Sequence, residues 1–191
     1  MIYTDYQIAA AKHLNTCKSI LDSIDRLMQM DNSALVVSRY KLESFHNIYY
    51  LSGYTLESIA TYSIYKHFGW NINNSVKRYD RRFSNASQFD FFGADRFGNI
   101  RSFYSAKSHL FQTNQFEVLR REFGSSRIEF IDQSVAVNTN IRTLFNSWKA
   151  EVRYHKPRRP YINNNQLSEN DVRTFVSITE NIYNSLLQIV G

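Results

Sequence analysis

The chain has 191 residues, 43% hydrophobic and 21% charged, which suits one globular domain spanning 1–191 and excludes an intrinsically disordered chain. Lysines and arginines number 23 against 17 acidic residues, a formal net charge of +6; that balance favours polyanionic partners such as nucleic acid or a phosphate-bearing ligand. No apolar run reaches the roughly 18 residues of a membrane helix, the start MIYTDYQIAAAKHL lacks the basic and apolar stretches of a signal peptide, and the single cysteine permits no internal disulfide, so no membrane association and a cytoplasmic location are expected.

Six glycines and two prolines are little punctuation for this length, which favours long helices over many short strands. Residues 4 to 30 carry Ile8, Ala11, Leu14, Cys17, Leu21, Ile24 and Leu27 at steps of three and four, one face of a helix. Asp31, Asn32 and Ser33 stop it and restart the chain. A second helix is predicted over about 34 to 68, ending at Gly69, with Ile48, Leu51, Thr55, Ile59 and Tyr62 on its stripe. Its first half, RYKLESFHN, is polar enough to admit a break. Residues 70 to 105 have poor periodicity and mix aromatics with Arg, Asn and Ser; they read as a long insertion with a hairpin near ADRFGNIRS.

Helical pattern resumes through Leu110, Phe116 and Leu119 and stops at Gly124. Another helix is predicted over roughly 133 to 153, through Val137, Ile141, Leu144, Trp148 and Val152. Pro157 and Pro160 then impose a loop. The last helix starts at Ser168, with Asp171 in the place of a capping-box acid and Leu167 and Val172 as a hydrophobic staple. Val172, Phe175, Val176, Thr179, Ile182, Tyr183, Leu186 and Val190 follow on one face. Four or five helices with one large insertion make an all-α bundle.

NIYYLSGYTLESIA, residues 47 to 60, is unusual for a core helix. Gly53 costs about 1 kcal/mol relative to alanine in a helix interior, which is tolerable where two helix backbones must come close. Glu57 lies one turn on, beside Tyr50 and Tyr54, and a buried carboxylate there needs a donor. YYLSGYTLESIATYSIYK resembles the second-helix signature of HEPN domains, in the branch that reads Tyr-Tyr-Leu-x-Gly-Tyr-x-x-Glu. SHLFQTNQFEVLRR is similar to the His-Leu segment of the family's third helix, here His109 and Leu110. WKAEVRY is similar to its Trp-x-x-x-x-Arg-Tyr segment, here Trp148, Arg153 and Tyr154. The resemblance covers about residues 5 to 68 and 105 to 190, and the insertion has no counterpart.

The resemblance implies an up-and-down four-helix bundle, commonly a homodimer. It implies RNA cleavage or the binding of RNA or a nucleotide, a defence or toxin–antitoxin role, and a nucleotidyltransferase-like partner. It implies no cofactor and no metal. Glu57 is then expected to accept hydrogen bonds from Arg153 across the bundle, the bland alternative being a carboxylate that faces water. Active HEPN ribonucleases resemble one another in an Arg-x4-6-His motif, in which arginine steadies phosphate charge and histidine moves a proton. Here His155 follows Arg153 by only two residues, and the right spacing falls on Lys149, a lysine without the guanidinium fork.

Arg39 and His46 have the motif's spacing, and seven residues place them on one helix face, but they precede the glycine–tyrosine signature. Arg153, Tyr154, His155, Lys156, Arg158, Arg159 and Tyr161 form a basic, aromatic segment suited to phosphates and stacked bases. Lys77, Arg78, Arg81 and Arg82, beside Trp70, Tyr79 and Phe83, form a second cluster whose aromatics equally suit packing onto the bundle. The five histidines show no metal-ligand spacing, and Cys17 sits on an apolar face as a core residue. Three readings follow: a nucleic-acid, nucleotide or partner-binding module with a degenerate ribonuclease motif; an active metal-independent ribonuclease using His155 with Lys149 or Arg153; or a ligand-free dimeric scaffold.

Overall fold

The apolar stripes find one another around a long central helix. The computed structural model describes residues 2–30, 34–73, 112, 115–150 and 167–191, and every regular element among them is helical. The architecture is an all-α bundle. In chain order it comprises α1 (Thr4–Gln29), α2 (Ala34–His67), α3 (Gln115–Phe123), α4 (Glu129–Val135), α5 (Thr139–Ser147) and α6 (Glu169–Val190), with a short 3-10 turn at Ser125–Arg127. Six α-helices among the described residues exceed the four or five expected from sequence, because one expected helix is divided in two.

α1 buries Tyr6, Ala10, Leu14, Cys17, Leu21 and Ile24. Ile8, placed on this stripe by sequence, is 65% exposed; in the first two turns the buried face runs through Tyr6 and Ala10 instead, and tyrosine supplies the apolar area. α1 runs antiparallel to α2. Cys17 donates its thiol to the Ile48 carbonyl at 3.6 Å, while Tyr6 stacks on Tyr65 and Tyr3 on Tyr62.

α2 is continuous, with no break in its polar first half. From Ser52 to Tyr65 nearly every residue is buried, so this helix is enclosed on all sides rather than striped. Its interior polar residues fold back on the helix: Thr55, Thr61 and Ser63 donate to the carbonyls four residues before them, which satisfies hydroxyls that burial would otherwise penalise. Gly69 ends the helix at φ 64°, a left-handed conformation that glycine adopts without steric cost.

α6 closes the core with Val172, Phe175, Val176, Ile178, Thr179, Ile182 and Leu186. Its start follows the sequence reading: the Ser168 hydroxyl oxygen accepts from the Asp171 amide at 3.1 Å, and Leu167 and Val172 are both buried. Lys18 pairs with Glu180, and Arg173 with Asp25, across α1 and α6. Lys41 reaches Glu169 from α2 at 3.1 Å.

Where one helix is expected over 133 to 153, the described residues hold the end of α4 and all of α5, and residues 151–153 lie outside them. α4 ends at Val135, and α5 begins where the Asn138 side chain accepts the Ile141 amide at 2.8 Å. Val137 is 60% exposed at the break. α5 ends at Ser147, and Trp148 follows in extended conformation, fully buried. Gly124, at φ 81°, separates α3 from the 3-10 turn. The hairpin expected near 94 to 102, the start of the helix containing His109 and Leu110, and the proline loop lie outside the described residues. Among the described residues no helix is long and apolar enough to cross a membrane.

Candidate functional site

Tyr50, Gly53, Tyr54 and Glu57 occupy one face of α2 by their spacing of three, one and three residues. Trp148 lies against this face. A Cβ added to Gly53 would overlap the indole ring, so the glycine makes room for a side chain rather than for another helix's backbone. The indole Nε1 donates to the Tyr50 carbonyl at 3.3 Å. Tyr54 meets the indole edge-on at 5.2 Å between centroids, and Tyr50 meets Tyr54 at 4.8 Å. Such edge-to-face pairs add about 0.5–1.5 kcal/mol beyond their buried area.

Two further contacts fix Trp148. Gln112 donates its amide to the Trp148 carbonyl at 3.1 Å and to the Phe145 carbonyl as well, satisfying carbonyls that the end of α5 leaves without helical partners. The Tyr49 hydroxyl donates to the Leu144 carbonyl at 2.7 Å. Burial pushes the Tyr49 phenol well above its ordinary range, so it remains a donor at every physiological pH. The end of α5 and Trp148 are therefore fixed against α2.

His13 of α1 completes the rim, its ring 6.0 Å from that of Tyr54. Half-burial, and secondarily the neighbouring Lys12, lower its pKa below the ordinary histidine range, so the imidazole is neutral at pH 7. Lys149 is exposed directly after Trp148. One turn below the rim, Glu57 is only 5% exposed, so the bland alternative of a carboxylate facing water does not hold. Near it, Gln115 donates to the Thr61 hydroxyl at 3.4 Å inside the α2–α3 seam.

The structure thus brings Trp148 onto Gly53, with Glu57 buried one turn on, while Lys149 follows Trp148 on the exposed side. His46 lies elsewhere on α2 with its ring buried, 8% exposed, which is poor access for a base acting on a polymer. The Arg39 side chain lies outside the described residues. So do Arg153, Tyr154, His155, Lys156, Arg158, Arg159 and Tyr161, as well as Lys77, Arg78, Arg81 and Arg82. His13 and Gln112 were not singled out as site residues by sequence. His13 is one turn from Cys17 on the buried side of α1, a detectable signal; Gln112 carries none.

Cys17 is fully buried against Ile48 and Ser52. Burial pushes its thiol up to about 11, with the Ser52 hydrogen bond a smaller opposing effect; it is a packed core residue and a poor nucleophile. Among the described residues no group of three His, Cys, Asp or Glu side chains is placed to hold a metal. No protein-family model, curated protein or solved structure gives a significant match to the chain.

Proposed function

We propose that the chain is a HEPN-like helical module that binds RNA or a nucleotide, with a degenerate ribonuclease motif. The observation that carries this reading is the contact of Trp148 on Gly53. These residues belong to two of the three segments in which the sequence resembles the family, and they are 95 positions apart in the chain. Two chance likenesses have no reason to interlock through a glycine that only a closely seated neighbour explains. The net charge of +6 supports a phosphate-bearing ligand. The resemblance brings with it a homodimer, a nucleotidyltransferase-like partner and a defence or toxin–antitoxin setting.

Retardation of labelled single-stranded RNA by the purified protein tests the reading. Binding is expected to weaken steeply as salt rises, because each neutralised phosphate releases counterions. Retardation that is absent at low salt sinks it and favours the scaffold. Cleavage of the RNA that disappears in His155→Ala replaces it with the ribonuclease reading.

A further inference from the structure

We draw no further inference here: the strongest candidate, the buried side-chain cluster of Glu57, Thr61 and Gln115 in the seam between α2 and α3, belongs to the site already described, and its three side chains are buried beyond the reach of a ligand.

Discussion

At Gly53 the addition of one methyl group puts a carbon inside the indole of Trp148. Helix propensity alone would make Gly53→Ala a stabilising change of about 1 kcal/mol, so the two effects have opposite signs. Packing wins here, because the indole is fully buried and tied through its Nε1 to the Tyr50 carbonyl. Overpacking costs about 1–3 kcal/mol and more where the neighbour cannot yield. The Gly53→Ala variant is expected to show a lower urea midpoint and a red-shifted tryptophan emission; a raised midpoint with unchanged emission counts against the seated indole. Glu57 supports a second expectation. Were Arg153 its partner, as the resemblance implies, Glu57→Ala would cost about 3–5 kcal/mol, and the double variant with Arg153→Ala would cost less than the two singles together. Strictly additive losses would exclude the pair. The sequence flagged Gly53 because glycine in a helix is anomalous by itself. What fills the notch comes from far along the chain, and no local pattern names it.

At the scale of elements, the α4–α5 break shows how apolar spacing misleads. Val137, Ile141, Leu144 and Trp148 keep steps of three and four and read as one helix. In the fold Val137 faces solvent and Trp148 lies beyond the helix end. The competing signal was Asn138 followed by Thr139, an N-cap sequence, and its side chain accepts the Ile141 amide. A cap inside an apparent stripe outranks the stripe when the residue beside it is a lone exposed valine. Asn138→Ala is therefore expected to destabilise the protein by about 1 kcal/mol, read as a shift in the urea midpoint without change in slope. Asn138→Asp should retain most of the stability, since an aspartate oxygen accepts the same amide. If Asn138→Ala is neutral, the division into two helices is not held by this cap. The ends of α2 and α6 were legible for the converse reason: Gly69 and Ser168 interrupt the pattern where the stripe also stops.

Across the whole molecule, stripes tell which residues go inside but not which helices meet. The lateral order of α1, α2 and α6 is marked by ion pairs between residues far apart in sequence: Asp25 with Arg173, Glu169 with both Arg173 and Lys41. Nothing local distinguishes these charges from solvated ones. Together they join three helices through one connected set, and they give the fold a pH dependence with a definite sign. Burial pushes the Glu169 carboxyl up, but hydrogen bonds and charge from Lys41 and Arg173 outweigh it and hold the pKa below the ordinary 4.5. The folded state thus releases the Glu169 proton more readily than the unfolded chain. The stabilisation is complete above the unfolded value and is lost as pH falls through the depressed folded one. For a pair about one-third exposed on the Glu169 side the contribution is modest, about 1 kcal/mol or less. Lys41→Met keeps the apolar stem and removes the charge, so it isolates the ionic part. Urea midpoints at pH 7 and pH 3 decide the matter. The deficit of Lys41→Met relative to the wild type is expected at pH 7 and should be smaller at pH 3, because Glu169 loses its charge as the pH falls through its depressed folded pKa. An equal deficit at the two pH values would mean that Lys41 acts through the packing of its stem, and the ionic link between α2 and α6 would then contribute nothing to the stability of the bundle.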